Sequence, residues 1–110
     1  MSLTVDGKII ETDKDGFLKN LEDWNDDVAA VLAAQEGIEL TAEHWDAINV
    51  LKEFHLTFEV SPAMRPLVKF MGKKLGAEKG KSIYLMTLFP PSPAKIGSKI
   101  AGLPRPDNCI

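Results

Sequence analysis

Cysteine is almost absent from this chain of 110 residues: there is one, Cys109, next to last. A single cysteine excludes an internal disulfide and any zinc site built from cysteine pairs. No run approaches the ~18 apolar residues that span a membrane. The opening stretch, residues 1–17, lacks a basic region followed by an apolar one, so no signal peptide is expected. No Walker loop, GxGxxG, GxSxG or HExxH is present, which removes nucleotide hydrolysis, nicotinamide chemistry and serine hydrolysis. A cytoplasmic protein without membrane association or cofactor is therefore expected.

The residues that are present suit one domain with a modest core: 45% are hydrophobic and 26% charged. The net charge of -3 conceals a division. Residues 1–60 carry 4 lysines against 14 acids, whereas residues 61–110 carry 9 cations against Glu78 and Asp107. Two readings are open: a basic face for an anionic partner, or two halves that attract each other within one fold.

Leu3–Val5 and Lys8–Ile10 around Asp6-Gly7 form a hairpin signature, since Asp-Gly tolerates the positive φ angles of a tight primed turn. A second turn follows at 13–16. Trp24, Val28, Val31 and Leu32 recur at helical spacing up to Gly37. Thr41 is a good N-cap, with Glu43 in the first turn. Trp45, Ile48, Leu51, His55 and Phe58 would then line one side of the next helix. Ser61-Pro62 reads as a helix start. Pro66 calls for a kink, because its missing N–H would be needed by the second turn. Residues 82–89 are a short helix candidate after a polar linker. Five of the seven prolines fall in the last 21 residues. This marks residues 91–110 as a C-terminal arm that lies on the domain of residues 1–90 or swings from it, with two helical turns possible at 94–101. The expected fold class is α+β, mostly helical, with an N-terminal β-hairpin and a flexible arm.

Cys109 is the leading candidate for chemistry. Cysteine is usually buried, and a thiol at a chain end is a liability unless its reactivity is used. As a thiolate it attacks persulfide or disulfide sulfur. Nearby cations raise the thiolate fraction. Lys99 and Arg105 are the nearest in sequence, opposed by Asp107 and the terminal carboxylate.

Other patterns carry less. Glu11, Asp13, Asp15, Gly16 and Glu22 match a calcium loop in spacing, but Lys19 and the preceding hairpin do not suit it. His44 and His55 stand three helical turns apart, too far for one metal. Segments 61–75 and 82–89, with Lys69, Lys73, Lys74, Lys79 and Lys81, could form a DNA-binding helix pair. No Arg or Asn array points to base readout, and direct nucleic-acid binding is not expected.

The arm stretch Lys99-Ile100-Ala101-Gly102-Leu103-Pro104-Arg105-Pro106, followed by Cys109, resembles the DsrC/TusE family. Asp6-Gly7-Lys8, Asp15-Gly16-Phe17-Leu18, Glu36-Gly37-Ile38, Leu40 to Trp45, Ser61-Pro62-Ala63 and Leu88-Phe89-Pro90 extend the resemblance over nearly the whole chain. The resemblance implies a sulfurtransferase acting as a protein sulfur relay, with Cys109 accepting sulfur as a persulfide. Members of the DsrC type carry a second arm cysteine, and Ser98 stands at that position here. Chemistry bridging two cysteines is thus closed, and the single-cysteine TusE branch is the nearer one. The implied partners are an upstream sulfur-transfer complex and a downstream tRNA thiolase that makes wobble 2-thiouridine. The alternative is a single-cysteine DsrC homologue in sulfite reductase or sulfur-oxidation metabolism, or a DNA-binding regulator.

Overall fold

The computed structural model describes residues 2–90 and 92–105; Cys109 and Asp107 lie outside the described residues. Strands β1 (Ser2–Val5) and β2 (Lys8–Glu11) pair antiparallel, Leu3 opposite Ile10 and Val5 opposite Lys8. The turn is the one the sequence predicts, with Asp6 at φ 50° and Gly7 at φ 76°. Alternation buries Leu3, Val5 and Ile10 and leaves Ile9 in solvent.

Five helices follow: α1 (Asp26–Gln35), α2 (Ala42–Phe58), α3 (Met64–Leu75), α4 (Ser82–Leu88) and α5 (Pro93–Ile100). Trp24 is not in α1. It follows a 3-10 turn at Leu21–Asp23, and Asn25 caps α1 by accepting from the Val28 amide at 2.9 Å. Gly37, at φ 73°, ends α1 as expected.

Thr41 caps α2 with an unusual partner. The Thr41 hydroxyl faces the His44 amide, and the Thr41 N–H donates to His44 Nδ1 at 3.1 Å. His44 thus fills the role that Glu takes in a capping box. Its Nε2 donates to the Leu88 carbonyl at 2.8 Å, tying α2 to the end of α4. The buried stripe of α2 runs through His44, Ala47, Ile48, Leu51 and Phe54. His55 is half-buried and Phe58 is 53% exposed, so the expected stripe drifts off the core toward the helix end.

Ser61 does not cap α3. The helix begins at Met64 behind Ala63. Pro66 therefore sits in the first turn, where an amide has no intrahelical acceptor, and no kink is required. The first helical amide bond is Leu67 N–H to the Ala63 carbonyl, 3.0 Å.

The larger surprise is α5. It contacts each of the other four helices, and Ile96, Ser98, Ile100 and Ala101 are all buried. The described part of the 91–110 segment lies on the domain as its central helix. Pro93 starts it, where a fixed φ is compatible with helix. Gly97 allows close approach: a Cβ there would stand 3.0 Å from Leu51 Cδ1.

Candidate functional site around the root of the C-terminal tail

The candidate residue named by the sequence, Cys109, comes four residues after Arg105, the end of a tightly held piece of chain. Helix α5 closes with Leu103 N–H bonded to the Ser98 carbonyl (2.9 Å) and Gly102 N–H to the Lys99 carbonyl (3.1 Å). This is a Schellman cap, with Gly102 at φ 74° and Leu103 buried. The string Ala101-Gly102-Leu103-Pro104 is thus a helix terminator whose proline prevents continuation.

Four contacts fix this root. Trp24 lies against Gly102, and its indole N–H donates to the Ile100 carbonyl at 2.8 Å. Lys52 stands over the Trp24 ring, its ammonium 3.6 Å from the ring centroid. Burial lowers the Lys52 pKa, and Asp26 opposes that shift. Ser61 Oγ donates to the Pro104 carbonyl, which is why Ser61 is unavailable to cap α3. Arg105 pairs with Asp15, stands 3.9 Å from Asp13, and lies over the Phe17 ring at 5.3 Å.

Asp13 and Asp15 come from the turn after β2. Asp13 Oδ1 accepts from the amides of Asp15 (2.8 Å) and Phe17 (3.1 Å), so the acidic turn is shaped by its own side chain and presents a carboxylate pair to Arg105. Beneath it, Lys99 Nζ meets Glu36 Oε2 at 2.5 Å, with the lysine side chain 9% exposed. Gly16, at φ 91°, makes room: a Cβ would lie 2.5 Å from Lys99 Cε. A polar hollow of ≈ 230 Å³ opens between Asp13, Asp15, Glu36 and Lys99.

Both cations expected to assist the thiolate are thus engaged with carboxylates. Lys99 is buried against Glu36, and Arg105 is shared with Asp13 and Asp15. Ser98 is fully buried, its hydroxyl without a hydrogen-bond partner among the described residues. Sequence reasoning missed Trp24, Glu36 and Ser61 as anchors of the tail root. The charge division was the available signal: Lys99–Glu36, Arg105–Asp15 and Lys74–Glu53 each join a cation of the second half to an acid of the first. Self-attraction between halves thus engages three of the nine cations of the second half.

The helix pair α3–α4 exists, packed closely where Gly72 and Gly80 meet. Its second helix exposes Ile83 (75%) and Met86, an apolar face unsuited to reading base edges. Tyr84, on the same helix, donates to Glu43 at 2.8 Å. Burial, then that hydrogen bond and the charges of Glu43 and Asp46, push its pKa up to about 12. No described helix is long and apolar enough to cross a membrane.

Comparison with known proteins gives this architecture a family. The family model described as DsrC like protein matches residues 4–110. The protein named Sulfurtransferase TusE from Salmonella typhimurium is 53% identical over 108 residues, covering 98% of this chain and 99% of that protein. The protein of the same name from Escherichia coli K12 is 51% identical over the same shares. Among solved structures, the NMR structure of Allochromatium vinosum DsrC superposes with a TM-score of 0.89 at 50% identity, both chains fully covered. The oxidized gamma-subunit of dissimilatory sulfite reductase (DsrC) from Archaeoglobus fulgidus gives 0.86 at 39%, again over all of both chains. With the fold, the sequence identity and near-complete coverage in agreement, the chain belongs to the DsrC/TusE family.

Proposed function

We propose that this protein is a sulfurtransferase that carries one sulfur atom as a persulfide on Cys109. The observation that carries the reading is its 51–53% identity, over nearly its full length, to proteins named Sulfurtransferase TusE. In the step proposed, the Cys109 thiolate attacks the outer sulfur of a donor persulfide. The donor's S–S bond breaks, the donor leaves as a thiolate with the electron pair, and Cys109 holds the sulfane sulfur. The proton lost by one thiol is regained by the other, and no external oxidant is needed. A second exchange of the same kind hands the sulfur on.

The tail root supports this reading mechanically. Cys109 follows Arg105 by four residues, so covalent geometry alone keeps it within about 14 Å of the last anchored Cα. Because Lys99 and Arg105 already face carboxylates, we assign further activation of the thiolate to the partner's surface. With Ser98 in place of a second cysteine, release requires an external acceptor thiol. We place the protein in the cytoplasm, between an upstream sulfur-transfer complex and a tRNA thiolase making wobble 2-thiouridine.

Transfer of isotope-labelled sulfur tests the carrier role. Label should pass from the persulfidated upstream sulfur-transfer complex to this protein, and from the re-isolated protein to an acceptor thiol. Label that never leaves the donor refutes it. A second reading, as a subunit docking on a sulfite reductase, is favoured by the likeness to the Archaeoglobus fulgidus gamma-subunit. It predicts co-purification with siroheme-containing subunits and no effect of gene loss on tRNA thiolation.

A further inference from the structure

Between the end of α2 and the start of α3 lies an apolar face that the relay chemistry does not use. Phe54, Phe58 and Phe70 form a cluster with centroids 4.6 Å (54–58), 5.3 Å (54–70) and 6.1 Å (58–70) apart. Phe54 belongs to the core, but Phe58 is 53% exposed, with Leu56 at 81% and Val60 at 49% close by in sequence. Two hollows flank this face. One, of ≈ 370 Å³, is lined by Phe54, Phe58, Phe70, Lys69 and Lys73; the other, of ≈ 690 Å³, by Met64, Val68, Arg65 and Ser82. Pro66 and Lys69 line both. Pro66, exposed on the first turn of α3, is thus the ridge between two apolar hollows. An exposed apolar surface rimmed by polar groups marks an interaction site.

The rim has one sign. Arg65, Lys69 and Lys73 recur every fourth residue along α3, about 6 Å apart for each helical turn. None of the three is in an ion pair among the described residues, whereas neighbouring Lys74 is held by Glu53 at 2.7 Å. Lys74, Lys99 and Arg105 meet acids of the first half, and the row Arg65, Lys69 and Lys73 does not among the described residues. The floor is apolar and the cations stand at the edge. That arrangement suits a helix laid in a groove by apolar anchors and held by charge. A strand of nucleic acid would instead need a series of exposed aromatic faces for successive bases, whereas Phe54 is buried and Phe70 half-buried.

We propose that this face docks an acidic amphipathic helix of a partner protein, its apolar residues entering the two hollows across Pro66 and its carboxylates meeting Arg65, Lys69 and Lys73. Two residues after Phe58, Val60 lines a cleft with Glu59, Ser61, Pro104 and Arg105, so a short stretch of chain links this face to the tail root. The proposal deepens the relay reading by naming the partner's chemistry, and it is separable from it because Cys109→Ser leaves the groove intact.

The test uses the full chain and two synthetic peptides, one amphipathic with leucines at i, i+3, i+4 and i+7 and glutamates elsewhere, the other with lysine for every glutamate. Fluorescence anisotropy should show the acidic peptide binding at least tenfold tighter than its basic twin. Amide NMR shifts should concentrate at 58–73. Lys69→Glu with Lys73→Glu should weaken binding at least tenfold, as should Phe58→Ser, while circular dichroism stays unchanged; Cys109→Ser should bind like the parent. Equal binding of both peptides, or none, overturns the proposal. So does tight binding of a labelled oligothymidylate at the same residues. A self-association abolished by Phe58→Ser would assign the face to a second copy. Shifts at Phe58 and Phe70 on deleting residues 106–110, without peptide, would assign it to the chain's own tail; either result also overturns the proposal.

Discussion

Replacing Gly102 by alanine should loosen the base of the tail, and the structure allows the cost to be worked out. Gly102 holds φ 74°, where an L-residue is disfavoured by about 1 kcal/mol. The added Cβ would also stand 2.3 Å from Trp24 Cδ1 and 2.6 Å from Cγ, both atoms of a rigid ring. Trp24 must move. It then gives up its bond to the Ile100 carbonyl, worth roughly 1–1.5 kcal/mol. It also gives up its contact with Lys52, worth about 0.5–1 kcal/mol. The total is ~3 kcal/mol, which in a domain of this size lowers Tm by about 15 °C. Gly7→Ala is the internal control, because its φ of 76° imposes the same backbone strain with nothing within 4 Å of the new Cβ. It should lose about 1 kcal/mol, or ~5 °C. Denaturant and thermal unfolding of both variants, followed by circular dichroism, measure the two costs. Equal losses would refute the claim that Trp24 clamps the tail root.

Three further outcomes are expected. Tyr84 is the only tyrosine, so tyrosinate absorbance reads it alone; its midpoint should be about 12 in the folded protein and near 10 in denaturant. Since the folded pKa is the raised one, its stabilising contribution is complete below pH 10 and is lost as pH climbs to 12, a loss absent in Tyr84→Phe; coincident midpoints would contradict this. Glu36→Gln should cost about 3 kcal/mol and Lys99→Met only ~1–2 kcal/mol, because the lysine is the more deeply buried member and suffers more when left alone; equal costs in chemical denaturation would contradict the burial argument. Ser98→Ala should stabilise by about 1 kcal/mol, since it removes an unpartnered buried hydroxyl; destabilisation would mean the hydroxyl is engaged.

The readable parts of the fold were those set by local chemistry. The Asp6-Gly7 hairpin, the Gly37 stop, the Thr41 cap and the 82–88 helix all depend on residues within a few positions of one another. Helix α5 was harder to place, because its prolines and glycines suggest irregular chain when their positions are ignored. Pro93 at the helix start and Gly102 after its end are in fact the two places where those residues favour a helix boundary. Ser61 was misplaced as a cap for a different reason. Its hydroxyl is taken by Pro104, 43 residues away, and no local pattern announces a partner at that separation. The acidic turn at 13–16 raised the question of calcium, while its use as the counterpart of Arg105 depended on the same long-range packing. The anchors of residues 100–105, Trp24, Ser61 and the Asp13–Asp15 pair, depend on packing across the whole chain and leave no local pattern.

The sulfur-carrier role of Cys109 is tested most directly by the intact mass of the protein after incubation with a persulfidated sulfur donor. A gain of one sulfur atom, reversed by reductant and absent in Cys109→Ser, is expected. A Cys109→Ser protein that gains the same mass, or a parent protein that gains none, would contradict it.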